Sequence, residues 1–194
     1  MNLLLEKYND YMRLEGCHVE YRLDGGIIVS FTFKEENFPH LIGLHKLTDI
    51  QLIQFWLDRN NKTVKLHDVI RKIKNETFTD NMVKGSVFFP KIQQRYDSFS
   101  YTNLTTLNYT DAIIDFNASL VNSKLKSDYI LFEEKPVGEY NHMGVALDKL
   151  SGSRYVETFI HEPSLKYLKG QTIVKVKEYR MTDKNGNTII EDSY

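Results

Sequence analysis

Thr172-Ile-Val-Lys-Val-Lys-Glu-Tyr-Arg-Met181 sets Ile173, Lys175, Lys177 and Tyr179 against Val174, Val176, Glu178 and Arg180. A period of two is the signature of a β-strand. Asp183-Lys-Asn-Gly-Asn187 then reads as a hairpin turn into Thr188-Ile-Ile190. Upstream, four more extended runs appear: Ala112-Ile-Ile-Asp-Phe116, Ser127-Asp-Tyr-Ile-Leu-Phe-Glu133, His142-Met-Gly-Val-Ala-Leu-Asp148 and Tyr155-Val-Glu-Thr-Phe-Ile160. Pro136 with Gly138, and Ser151 with Gly152, supply turns between them. Pro163 to Lys169 reads as a single helical turn ended by Gly170.

Before Asp111 the period is helical. Leu66, Val69, Ile70 and Ile73 fall at i, i+3, i+4 and i+7, and Lys65, Arg71, Lys72 and Lys74 take the other face. Thr48-Asp49 reads as the cap of a helix to about Asp58. Thr79-Asp80 starts a further helical run to about Leu107, interrupted near Pro90, with Phe88, Phe89, Ile92, Tyr96 and Phe99 inward. Residues 2–14 form a helix stopped by Gly16. A hairpin follows, turning at Asp24-Gly25-Gly26 between Val19, Tyr21, Leu23 and Ile27, Val29, Phe31, Phe33. The fold class is α+β: an N-terminal helix and hairpin, a helical middle, and a C-terminal antiparallel sheet of about four to five strands. One domain is expected over residues 1–194, with the helical part at about 35–108 and the sheet at about 109–194.

Composition bounds the function. Hydrophobic residues are 41% and charged residues 26%, as in an ordinary soluble chain, and the net charge of −1 supplies no global field for a polyanion. That argues against a DNA-coating protein and leaves room for a nuclease with a local basic cleft. Cys17 is the only cysteine, so the chain holds no disulfide framework, and a reduced, cytoplasmic location is expected. The apolar run near the start is three leucines, too short for a signal-peptide core, and no stretch approaches a membrane span.

Phosphate-binding glycine loops, nucleophile elbows and zinc-protease helices are absent from the sequence. What stands out is Lys34-Glu-Glu-Asn-Phe-Pro-His-Leu-Ile-Gly-Leu-His-Lys-Leu47. Asn37 and Pro39 suit a helix start. On a regular helix His40 and His45 lie about 140° apart, which does not suit a shared metal. A histidine shuttles protons at neutral pH, and Lys46 beside it neutralises phosphate. The plainer alternative is a helix with a tight packing contact at Gly43. Lys124 is either a solvated loop residue or a phosphate-facing cation. Thr158 is either a β-branched strand former or a hydrogen-bond donor. Ser164, Tyr167 and Gln171 surround a helical turn whose N-terminus suits an anion. His67, His142 and His161 read as structural or solvent-facing, and Cys17 as a buried thiol beside His18.

The run Phe38-Pro-His-Leu-Ile-Gly-Leu-His-Lys-Leu47 resembles the motif of the fourth class of phage barnase–EndoU–colicin–RelE-like nuclease domains, found in phage, prophage and other mobile elements of low-GC bacteria. Further pieces are similar in order: Phe31-Thr-Phe-Lys34, Ser123-Lys-Leu-Lys-Ser-Asp-Tyr-Ile-Leu-Phe132, Glu157-Thr-Phe-Ile-His-Glu-Pro-Ser164 and Tyr167-Leu-Lys-Gly-Gln171. The resemblance implies a helix-plus-antiparallel-sheet fold and a ribonuclease that needs neither metal nor cofactor, with the RNA 2′-hydroxyl as nucleophile. It implies His40 as general base or acid, with His45 and Lys46 positioning or neutralising phosphate. Lys124 becomes a second cation, Thr158 a donor to phosphate, and Tyr167 a base-stacking or proton-donating group. RNA is the implied partner, with a neutralising protein if the activity is toxic. Two competing readings are a non-catalytic interaction module that kept a nuclease-like fold, and a small-molecule or metal-binding protein using His40, His45 and an acidic residue.

Overall fold

The alternation at 172–181 becomes an eleven-residue strand, β7 (Thr172–Thr182), and it is the spine of the sheet. A strand this long exposes many backbone N–H and C=O groups along both edges, and each needs a partner. The computed structural model, which describes residues 2–105, 109–135 and 138–194, supplies three. The N-terminal hairpin, β1 (His18–Leu23) and β2 (Ile28–Thr32), pairs antiparallel through β1, with Tyr21 opposite Tyr179. β3 (Asp111–Ile114) covers the first part of β7, and β8 (Thr188–Ser193) covers the last. β4 (Tyr129–Glu134), β5 (Tyr140–Leu147) and β6 (Arg154–Glu162) continue beyond β3.

The order is β2-β1-β7-β3-β4-β5-β6, with β8 on β7, and all pairs are antiparallel. The terminal strands β2 and β6 approach each other, so the sheet is nearly barrel-shaped. The α+β mixture agrees with the sequence reading. The expected four to five strands do not: among the described residues there are eight, six from the C-terminal half and two from the N-terminal hairpin, which joins the same sheet. Periodicity reports that a run is extended and says nothing of its partner.

The chain divides into two compact units, Leu14–Lys34 with Thr102–Tyr194 and Met1–Arg13 with Glu35–Tyr101. In the sheet unit, Tyr21, Tyr109, Leu131, Met143, Phe159 and Tyr179 are fully buried. The Tyr21 and Tyr179 rings meet at 4.7 Å, a separation at which aromatic pairs attract. Residue Glu157 is bulged out of the β5–β6 ladder, since Gly144 opposes Thr158 and Val145 opposes Val156. Its carboxylate accepts from Ser127 Oγ at 2.6 Å and Lys126 N–H at 3.0 Å. A Cβ at Gly144 would collide with Ser127 Oγ, so glycine is required there. The segment 163–170 forms turns and no helix, which removes the helix N-terminus anticipated for an anion.

In the helical unit, α1 (Leu3–Tyr11) turns Leu4, Tyr8 and Tyr11 inward, and α2 (Phe38–Leu41) adds Phe38. Phe38 lies within 5.3–5.6 Å of Tyr8, Tyr11 and Phe99, an aromatic cluster worth about 0.5–1.5 kcal/mol per pair beyond its area. After α3 (Gln51–Leu57), α4 (Leu66–Lys74) buries Val69, Ile70 and Ile73, as its pattern predicts. Asp49 does not cap α3; it accepts from Ser86 Oγ at 2.5 Å and Val87 N–H at 2.9 Å. The expected run after Thr79 breaks into α5 (Asp80–Lys84), a 3-10 turn at Phe89–Lys91, α6 (Gln93–Ser98) and α7 (Tyr101–Leu104). Ile92, Tyr96 and Phe99 are buried, while Phe88 and Phe89 are half-buried. The readings at Leu107 and Pro136 lie outside the described residues.

Candidate functional site

The run 38–47 is not one helix. α2 ends after Leu41, Gly43 adopts φ +95°, and a 3-10 turn covers Leu44–Lys46. L-residues avoid that φ, and a Cβ at Gly43 would lie 2.9 Å from Ile92 Cγ2 and 3.2 Å from Arg95 Cδ. The glycine therefore meets two demands: a left-handed backbone and the close approach of the segment leading into α6.

This break decides the geometry of the histidines. A regular helix would point them about 140° apart. Here the His40 and His45 rings lie 5.0 Å apart, tilted by 41°. His40 is exposed, and the Trp56 indole on α3 meets it edge-on at 5.0 Å. His45 is half-buried as a residue, yet its Nδ1 is buried with no hydrogen-bond partner among the described residues. Burial, first, and then the positive neighbours His40, Lys46 and Arg95 push its pKa down to about 3. His45 is thus a neutral imidazole at physiological pH, set behind an accessible one, with two cationic side chains near. Such an arrangement can hold an anion at Lys46 and Arg95 and pass a proton through His40. Its His45 carries little positive charge at neutral pH.

The remaining residues predicted from the sequence lie in the sheet unit, each with its own neighbours. Lys124 is exposed in the coil before β4. Thr158 is buried on β6 opposite Gly144, with its methyl group close to where a Cβ of that glycine would lie. Tyr167 is half-buried, its ring 5.3 Å from that of His142.

For His142, of the two readings structural or solvent-facing, the structure takes the structural one. It is fully buried on β5 among Phe132, Tyr140 and Tyr167, with neither ring nitrogen hydrogen-bonded among the described residues. Leaving such a group unpaired costs about 1–3 kcal/mol. Burial is the main force that pushes its pKa down to about 4. His161, by contrast, is well partnered: Nδ1 lies 2.9 Å from Asn141 Oδ1 and Nε2 3.2 Å from Glu139. Asn141 also reaches Glu133, which Lys135 pairs at 2.7 Å.

Trp56 and Arg95 were missed from sequence. The only tryptophan in the chain was a usable signal; nothing local marks Arg95, which reaches the histidines only through the contact at Gly43. Among the described residues no three His, Cys, Asp or Glu side chains are grouped to hold a metal ion, and no helix is long and apolar enough to cross a membrane. No family model, curated protein or solved structure matches the chain.

Proposed function

We propose that the helical unit engages an RNA phosphodiester, and that the protein is an endoribonuclease acting by 2′-hydroxyl transesterification. The observation that carries this reading is the exposed His40 ring 5.0 Å from a neutral His45, with Lys46 and Arg95 close to that pair. In the reaction the 2′-oxygen bonds to phosphorus as the bond to the 5′-oxygen breaks. A base takes the 2′ proton, an acid protonates the leaving oxygen, and a 2′,3′-cyclic phosphate results. His40 serves as one of those proton-transfer groups, and Lys46 with Arg95 neutralises the pentavalent oxygens. His45 acts as a positioning residue, because its neutral ring adds no charge. The resemblance of 38–47 to phage nuclease domains supports the reading and suggests an effector of a phage or mobile element, kept in check by a neutralising protein if toxic.

The test is incubation of purified protein with single-stranded and folded RNA, scoring cyclic-phosphate ends. His40→Ala is expected to lower cleavage by about 10²–10⁴-fold. Since His40 is exposed, the variant keeps the fold. The same assay tests Lys124, Thr158 and Tyr167. Intact RNA with soluble, folded wild type ends the reading.

One observation favours a second reading, a non-catalytic interaction module: Gly43 is explained by its contact with Ile92, so packing alone accounts for part of the motif. RNA binding without cleavage, unchanged by His40→Ala, would select it.

A further inference from the structure

The outer side of β4, β5 and β6 carries a buried group that the proposed reaction does not use. His142 is 0% exposed, and both its ring nitrogens lack hydrogen-bond partners among the described residues. An apolar ring of similar size would satisfy the same packing without that cost, so the imidazole calls for an explanation. Besides Phe132 and Tyr140, a short segment, 163–171, lies over it. Its Tyr167 lies on His142, and Leu168 packs on the cluster of Ile113, Ile130, Phe132 and Tyr140. Leu165, Lys166 and Lys169 on the same segment face solvent.

The cover is a short run of turns, and at its start Ser164 Oγ donates to Glu162 while Lys166 N–H donates to Ser164 Oγ. Inside it, Leu168 N–H donates to Leu165 O at 3.0 Å and Gln171 N–H to Leu168 O at 3.2 Å. Its far end is pinned where the Gln171 side chain exchanges two 3.0 Å hydrogen bonds with the Asn117 backbone. Pro163 begins the segment, and Gly170, at φ +71°, supplies a left-handed joint before β7.

We infer that segment 163–171 is an acid-released cover: a proton on His142 forces that ring to find water, and water is reached by lifting Tyr167. Backbone groups of Tyr140 and Ile160 favour the proton in place, but burial outweighs them, and no charged side chain adds relief. On β4, Phe132 is opposite, and Glu134 lies two pairs along with the Tyr140 phenol of β5 as its partner. On β6, Ile160 is opposite; Glu162 beyond it accepts from Ser164 Oγ, and the charge of His161 opposes a second cation. From the cover come the Tyr167 phenol and Lys166, whose Nζ lies 5.3 Å from the centre of the Tyr167 ring. Among the described residues no carboxylate reaches either nitrogen of His142.

The sign follows from linkage. Covered, His142 holds its proton only below about pH 4; uncovered, it returns to about 6.5. The open form therefore binds more protons, and the closed form is fully favoured only above the open-state value. Between about pH 7.5 and about pH 4.5 the opening constant should rise roughly 70-fold.

Amide hydrogen exchange of 163–171, corrected for intrinsic rates, measures this directly. Wild type should lose protection there on acidification, while β1 and β7 remain protected. His142→Phe, which cannot titrate, should keep that protection constant. Constant protection in wild type, or an equal loss in His142→Phe, overturns the inference. Should the Phe variant not fold, His142→Gln and an NMR titration of the His142 ring decide. A ring titrating near 6.5 in the closed protein overturns the inference, and a depressed value that Tyr167→Ala raises supports it.

Discussion

At the scale of single residues, Gly43 carries more than any other position in the 38–47 run. Gly43→Ala would strain a backbone at φ +95° and press on Ile92 and Arg95. It should destabilise the protein by about 1–3 kcal/mol in denaturant titrations. It should also reduce any activity that depends on the His40–His45 approach. The residue types of this site were legible in the sequence, but their meeting was not. A helix was the reasonable expectation, and only the left-handed glycine, selected by packing against Ile92, brings the rings to 5.0 Å. Glu35 gives a second residue-scale prediction. Hydrogen bonds from Lys74 and Tyr8 hold its carboxyl below the usual range. A depressed carboxylate stabilises above its unfolded value, about 4.3, and the contribution disappears as pH falls through the folded value. The stability gap between wild type and Glu35→Gln should therefore close on acidification. A gap unchanged between about pH 6 and about pH 3 would contradict the assignment.

At the scale of elements, β7 pairs with three strands, and its two faces should respond differently to substitution. Met181 is fully buried, so Met181→Ala should cost about 2–5 kcal/mol. Arg180 pairs with Glu191 in the open, so Arg180→Ala should cost under about 1 kcal/mol. Equilibrium unfolding of the two variants would test the contrast, and equal costs would mean that the face assignment is wrong. Alternation along 172–181 revealed this strand, and the 3.6-residue period revealed α4, because both record which side is buried. The same signal was silent on pairing. Ladder hydrogen bonds are made by backbone groups common to every residue, so the union of β1 with β7 leaves no mark in side-chain order. The turns at 163–170 show a related limit: Pro163 and Gly170 bound the segment as they would a helical turn, while Tyr167 and Leu168 are held by the rings and aliphatics beneath them.

At the scale of the whole molecule, a net charge of −1 means that polyanion binding must be local. If RNA binds through Lys46 and Arg95, the logarithm of affinity should fall with the logarithm of salt at a slope of only about −1 to −2. Lys46→Ala should reduce that slope by about 0.7, measured by fluorescence anisotropy across a salt series. A steep slope unaffected by Lys46→Ala would place the RNA elsewhere. The sequence by itself determined the class of fold, most element positions and the segment rich in proton-transfer groups. These follow from local periodicity, turn residues and composition, which act over a few residues. Tertiary structure alone decided that the eight strands of the described residues share one sheet, that His40 meets His45 and Trp56, and that the buried His142 meets Tyr167. Each of these is a contact between residues distant in sequence or across a broken helix, where packing outweighs local preference.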